Sequence, residues 1–401
     1  MSMMFGEIAC IKPSRQPGEV QELTLDRMRT NQDRGISTQL VPDCNVVIDM
    51  IIASSPQESL ETTRARNRLQ PLMSFLRSSS ENGLTYHISP FFGLNEMPRE
   101  NAVLGIGSLD SFSTKFDLNW IDAQRSVVAD RNSIGLLSRG FQALDQDLQC
   151  VLSLPYSALL LMLVVSRDLP CSKPLVRFRH FLRLYRRLID VISIREITIA
   201  RFVFAPEPDP DSDLRKTWEK IVSNFTGRNH RTKRAITKSR DLDRTSLNGA
   251  FDLFLLNSAL ISDYCGLQGE AVDTWVLTAD AKLAALTDAV YHSDMGTGQT
   301  GLFVVTEDYQ DQGDYWRETH QDMQALGFLF RAGLKPSPSR QRARALGVLA
   351  LAEQGLHGTI PLDGDALRFS GTHWVNTDYH GVLVTPTFHS SAEERGNKEH
   401  V

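Results

Sequence analysis

The chain has 401 residues, of which 41% are apolar and 23% charged, with a net charge of −5. That length accommodates one large domain or two to three ordinary ones. The acidic balance excludes attraction of the whole molecule to nucleic acid or an anionic membrane, so any such attraction has to come from local patches.

Residues 1–40 are mixed, with a helical patch near EVQELTLDRMR. STQLV (37–41) reads as a strand running into Asp43, and NVVIDMII as the helix after it. SLETTRARNRLQPLMSFLRS (59–78) reads as a helix broken near Pro71. TYHIS (85–89) is a short β-rich run, and PFFGLNEM (90–97) starts a helix. Residues 120–150 read as helical. VLSLPYSALLLMLVV (151–165) is too short for a membrane span and contains Pro155, so it reads as a buried helix. In 176–190, Phe178, Leu182, Tyr185 and Ile189 recur at helical spacing with arginines between them. ISIREITIARFVF (192–204) is β-rich, and PEPDPDSD (206–213) is a proline-rich acidic loop.

From residue 249 helix and strand alternate. GAFDLFLLNSALISDY is a helix, TWVLT (274–278) a strand, DAKLAALTDAVY a helix and GLFVVT (301–306) a strand. This spacing predicts an α/β fold with parallel strands. Helices near 315–331 and 340–355 follow, then the β-like HWVNTDYHGVLVTPTF and a frayed polar tail.

Several chemistries are excluded. Cys10, Cys44, Cys150, Cys171 and Cys265 are odd in number and scattered without a C-x-x-C pair, against a disulfide framework or zinc knuckle. The histidines form no H-E-x-x-H pair. GTGQTG (296–301) precedes a strand instead of linking a strand to a helix, so it is a turn, not a dinucleotide loop. Asp209, Asp211 and Asp213 lack the glycine and glutamate of a calcium loop. With a charged N-terminus that makes a poor signal peptide, a cytoplasmic protein without membrane segments is expected.

Four carboxylates remain near strand ends or the adjoining helices: Asp43, Glu96, Asp252 and Asp280. Open parallel sheets bind ligands at the strands' carboxyl ends. Each of Asp43, Asp252 and Asp280 taken alone could equally be a helix cap, and Glu100 rivals Glu96. Brought together, carboxylates repel unless a cation such as Mg²⁺ or Mn²⁺ accepts them.

In order and flanking elements the four segments resemble the PIN-domain nucleases. The family's opening Asp-x-Asn after a strand is matched by Asp43-Cys44-Asn45, and its "strand, Ser, helix, Glu" by His87-Ile88-Ser89 through Glu96. Its helix-opening acid is matched by Asp252 with Ala259, and its "apolar, apolar, Thr, x, Asp" by Val276 to Asp280. Pro42 before the first acid and the long interval from Glu96 to Asp252 depart from the pattern.

The resemblance implies a PIN-like three-layer fold with a central parallel sheet, interrupted by a mainly helical insertion. The division is an N-terminal extension (1–36), a first PIN-like part (37–110), the inserted subdomain (111–240), a second PIN-like part (241–310) and a C-terminal extension (311–401). It implies a Mg²⁺- or Mn²⁺-dependent endoribonuclease whose metal ligands are Asp43, Glu96, Asp252 and Asp280. Asn45 and Thr278 would support them, RNA is favoured over DNA as substrate, and pairing with itself or a regulatory protein fits the family. The alternatives are a non-catalytic PIN-like binding module and a structure-specific DNA nuclease.

RNHRTKRAITKSR (228–240) carries Arg228, Arg231, Lys233, Arg234, Lys238 and Arg240 without an acid. A basic loop before Asp252 is what a polyanion-cleaving enzyme would use; its bland alternative is a solvated linker. The arginines of 177–187 read as an exposed helix face, with a second phosphate track supplied by the insertion as the alternative.

Overall fold

Two faces of one sheet sort the apolar residues of its strands. In the computed structural model, which describes residues 3–15, 21–116, 118, 140–189, 193–227, 236–267, 269–294, 302–306, 309–329 and 338–357, the strands are β1 (Met3–Phe5), β2 (Ile8–Ile11), β3 (Ser37–Pro42), β4 (Tyr86–Ile88) and β5 (Val272–Thr278), in the order β1-β2-β5-β3-β4. Ala9, Ile11, Val41 and Val276 enter one core and Ile8, Cys10, Leu40, Trp275 and Leu277 the other. This is the period-two alternation of strands covered on both faces.

The second core is closed by α1 (Leu25–Asp33), α2 (Cys44–Ser54), α3 (Leu60–Glu81), α4 (Phe91–Glu96) and α5 (Arg99–Phe116). The first is closed by α6 (Gln146–Asp168), α7 (Pro174–Leu188), α8 (Ile194–Phe204), α9 (Asp213–Thr226), α10 (Ser239–Cys265), α11 (Ala281–Ala289), α12 (Asp314–Leu329) and α13 (Pro338–His357). Side-chain oxygens start several of them: Ser59 accepts from Thr62 N–H, Asp145 from Leu148 N–H and Ser212 from Arg215 N–H. The apolar helix α6 is a core element, packed on α7, α8, α10 and α13.

Four expectations are corrected. The sheet is mixed: β3 runs parallel to β4 and β5, but β2 is antiparallel to β5 and β1 to β2. The hairpin of residues 3–11 was illegible because β2 is buried at every position and shows no alternation. GLFVVT does not join this sheet; its described part, β7 (Leu302–Thr306), pairs antiparallel with β6 (Val290–Asp294). The β-rich segment is helix α8. Its side chains from Arg195 to Phe204 are all buried among other helices, where a helix satisfies its own backbone groups and a lone strand could not. Helix α3 is continuous through Pro71, because burial of Leu69, Leu72, Met73 and Leu76 outweighs the one lost backbone bond. The β-like 373–388 segment lies outside the described residues.

The amino end of β5 is fastened by charge. Asp273 accepts from Lys12 Nζ at 2.7 Å, Arg27 Nη2 at 2.8 Å and Nε at 3.0 Å, Asn31 Nδ2 at 2.8 Å and Trp275 Nε1 at 2.9 Å. Lys12 also pairs with Asp263 of α10, whose Oδ2 accepts from Ser14 Oγ at 2.7 Å. A second buried polar cluster joins α8, α10 and β6: Arg195 donates to Asn257 Oδ1 at 2.5 Å and meets His292 Nδ1 at 2.8 Å. Burial alone would raise the Asp273 carboxyl, but the hydrogen bonds and charges of Arg27 and Lys12 hold it far below the usual carboxylate range.

Asp273→Asn should therefore cost about 3 kcal/mol at neutral pH, since it takes a buried counter-charge from Lys12 and from the partly exposed Arg27. Because the native carboxyl titrates low, the wild-type advantage is full above about pH 4 and is lost as pH falls below that. Urea unfolding of both proteins between pH 7 and pH 2 measures it; a constant difference across that range would contradict the assignment.

Candidate active site

Parallel strands β4, β3 and β5 end at one edge of the sheet, and the acids gather there. Asp43 follows β3 directly. Its N–H donates to Leu277 O of β5 at 2.8 Å, continuing the β3–β5 ladder. Successive residues face opposite neighbours, so the missing donor of Pro42 points towards β4, whose pairing has already ended at Leu40 and Ile88. Pro42 therefore closes the strand without displacing Asp43.

The Asp43 side chain is fixed twice. Oδ1 accepts Val46 N–H at 2.8 Å, capping α2, and Oδ2 accepts Thr278 Oγ1 at 2.5 Å. Thr278 Oγ1 in turn accepts Asp280 N–H at 2.8 Å, and Asp280 Oδ1 accepts Lys282 N–H at 2.7 Å, capping α11. Thr278, fully buried at the end of β5, thus links the first and fourth acids.

Glu96 arrives on α4, the short helix after β4. Gly93 makes this approach possible: a Cβ there would stand 2.6 Å from Val47 Cγ2 and 3.0 Å from Asp43 O. Asp252 comes from the other side of the sheet, on α10. It is not in a first turn, because α10 begins at Ser239 and extends well past it in both directions. The capping alternative is thereby excluded for Asp252. Asn224 of α9 donates to its Oδ2 at 3.2 Å.

The electrostatics register the convergence. Burial first pushes the Asp43 carboxyl up to about 6, and the Asp280 charge adds to this against the hydrogen bonds from Thr278 and Val46. Burial raises Glu96 well above the usual range, followed by the charges of Asp252, Asp43 and Asp280. Burial also raises Asp252, with Asp280 and Asp43 adding while Asn224 and Lys282 oppose. Cys44 reports the same field: burial and then the charges of Glu96, Asp43 and Asp252 raise its thiol. Glu100, the rival glutamate, is exposed on α5.

The donor set is all oxygen, which suits a hard divalent cation and not zinc. Among the described residues, no three His, Cys, Asp or Glu side chains already stand as a ligand set. Mg²⁺ does not require one, since it takes one or two carboxylates and completes its shell with water. Asp43 is buried, whereas Glu96, Asp252 and Asp280 are each partly accessible, so solvent reaches the cluster. A hydrated ion held by a subset of the four would suit this donor set.

The supporting residues divide. Thr278 hydrogen-bonds to Asp43 and accepts the Asp280 N–H. Asn45 is exposed, and its side chain lines a cleft on the far side of α2; only its backbone N–H favours the Asp43 charge. Of the basic loop, Arg228, Arg231, Lys233 and Arg234 lie outside the described residues. Lys238 and Arg240 are exposed at the start of α10. Arg240 is roughly 18 Å along the helix axis from Asp252, at 1.5 Å per residue. Arg179 of the arginine face is ion-paired with Asp322 and Glu318 of α12, so it ties helices together. Asn224 and Gly93 gave no signal in the sequence; Lys282 could have been suspected from its place in the turn after Asp280.

No protein-family model, curated protein or solved structure matches the chain.

Raised carboxyls make the empty-handed fold less stable as pH rises, because the native state keeps protons that the unfolded chain releases. In EDTA at pH 8, Asp252→Asn should be more stable than wild type by about 1 kcal/mol. The gain should vanish near pH 4, where the unfolded carboxyl also becomes protonated, and Mn²⁺ should stabilise wild type more than the variant. Urea unfolding with and without Mn²⁺ measures both effects; equal curves at pH 8 would contradict the convergence.

Proposed function

We propose that the chain is a PIN-like nuclease that hydrolyses phosphodiester bonds at the Asp43–Glu96–Asp252–Asp280 cluster with Mg²⁺ or Mn²⁺. One observation carries this reading: acids from four separate elements meet at the shared carboxyl end of three parallel strands, where burial and then the neighbouring acids raise the carboxyls of Asp43, Glu96 and Asp252. Such an arrangement stores repulsion that a proton or a cation relieves. A covered sheet with α2 and α4 on one face and α10 on the other is compatible with the three-layer PIN-like architecture, into which α6 to α9 would be the insertion.

A bound divalent ion supplies an activated water and steadies the leaving oxygen of a phosphodiester. The chain's own part is orientation. Val46 N–H and Thr278 Oγ1 leave Asp43 no freedom to rotate, and Lys282 N–H does the same for Asp280 Oδ1. Asn224 orients Asp252 from the helical layer, tying that layer to the site. Glu96, whose carboxylate has no fixing hydrogen bond among the described residues, has its pKa raised by burial and then by the charges of Asp252, Asp43 and Asp280, so a bound cation would favour its charged form. RNA is the favoured substrate on the family resemblance.

Purified wild type with Mn²⁺ should cut labelled single-stranded RNA faster than DNA. Asp43→Asn/Asp280→Asn should reduce the rate by about a hundredfold or more, and EDTA should do the same to wild type. Persistent cleavage by the double variant, or no cleavage of any RNA or DNA by wild type, sinks the proposal.

A further inference from the structure

A second recess lies against the acidic cluster on the other side of α2. It is a cleft of about 640 Å³ between α2 and α3, bordered by Asn45 and by Ala279, which immediately precedes Asp280. That size lies within the range of small-molecule sites. Helical periodicity builds its two walls. Asn45, Ile48, Asp49 and Ile52 recur at three- and four-residue steps on α2, and Leu60, Arg64 and Arg68 at four-residue steps on α3.

The lining is unusual for a surface left to water alone. Ile48 and Leu60 are exposed, Leu60 to 68%, so two large apolar side chains flank the opening. Below them Asp49 is 4% exposed, and only one of its oxygens is used: Arg68 Nη2 pairs with Oδ1 at 3.1 Å, while Oδ2 is buried without a hydrogen-bond partner. A buried carboxylate oxygen without a donor costs free energy until something donates to it. Arg64 is exposed on the rim and has no ion pair among the described residues.

We propose that this cleft is a nucleotide subsite: an unstacked nucleobase lies on Ile48, Ile52 and Leu60, donates an N–H of its edge to Asp49 Oδ2, and leaves its phosphate to Arg64. Apolar walls, one deep acceptor and a rim guanidinium are the groups that hold a splayed-out base of a single strand. Glu61, also on the rim, repels phosphate from the first turn of α3 and leaves Arg64 as its contact. Asn45 borders the cleft two residues after Asp43, the edge from which the strand would continue to the acids. As a substrate subsite this rests on the nuclease reading. The same chemistry would hold a free mononucleotide, and the test separates the two sources.

The test is calorimetric titration of the full chain, in EDTA, with adenosine 5′-monophosphate and with ribose 5-phosphate as the baseless control. Leu60→Gln/Arg64→Ala changes two exposed side chains, so the fold is not at risk. Adenosine monophosphate should bind wild type and lose about tenfold in affinity in this variant, and ribose 5-phosphate should not bind. With Mn²⁺, the variant should raise KM for an oligonucleotide by about the same factor while kcat changes far less. A wild type that cuts oligonucleotides but ignores adenosine monophosphate, or a variant with unchanged affinity and KM, overturns the subsite and spares the nuclease. Nucleotide binding lost in the variant of a protein that cuts nothing overturns the substrate role and leaves a free mononucleotide as the occupant.

Discussion

The contact between Thr278 Oγ1 and Asp43 Oδ2 is the joint on which the candidate site depends. It closes the carboxyl ends of two neighbouring parallel strands with side chains, where the backbone ladder has just run out. Thr278 both gives and receives: its hydroxyl donates to one acid and accepts the backbone N–H of the residue bearing another. The spacing of two like charges is thereby set by a three-atom relay and not by the flexible ends of two side chains. The hydroxyl is the part that matters. Valine would fill the same space, but it would leave Asp43 short of a donor in a buried place.

The two ends of the sheet are electrostatic opposites. At the amino end of β5, Asp273 is surrounded by donors and its charge is favoured. At the carboxyl end, burial and then the neighbouring acids disfavour the charges of Asp43, Glu96 and Asp252, with little compensation. The first arrangement stabilises the fold and the second opposes it, so the well-paired end is suited to carry the strain of the poorly paired one. A structural ion network and a functional charge cluster are told apart in this way, by whether the protein itself supplies the counter-charge.

Much of the site was legible from local chemistry. Strand, acid and helix in STQLV-P-D-CNVVIDM and in TWVLT-A-D-AKL are short-range patterns, and both formed as read, with Asp43 and Asp280 capping and converging at once. Cap and cluster member were therefore not alternatives. The local reading of Asp252 as a first-turn residue was wrong. Its helix begins ten residues earlier than read, because Leu242, Ser246 and Leu247 are buried by α6 and its neighbours, which no local pattern announces. The β-branched run of α8 failed for the same cause, with burial on every side overriding propensity. Asn224 was out of reach entirely: it belongs to the helical layer, and only the packing of α9 on α10 and α11 brings it to an acid.

Helix α10 runs for 27 residues and is gripped at three places along its length. Asp252 is held by Asn224, Asn257 by Arg195, and Asp263 by Lys12 and Ser14. At about 100° per residue, Asp252 and Asp263 fall on nearly the same side, and Asn257 roughly 140° away. A rod notched on two sides can neither roll nor slide by a turn without releasing all three catches together. The azimuth of Asp252 is therefore set by bonds at the far end of the sheet as much as by anything beside it, and the angle at which that carboxylate faces its neighbours is a property of the whole molecule.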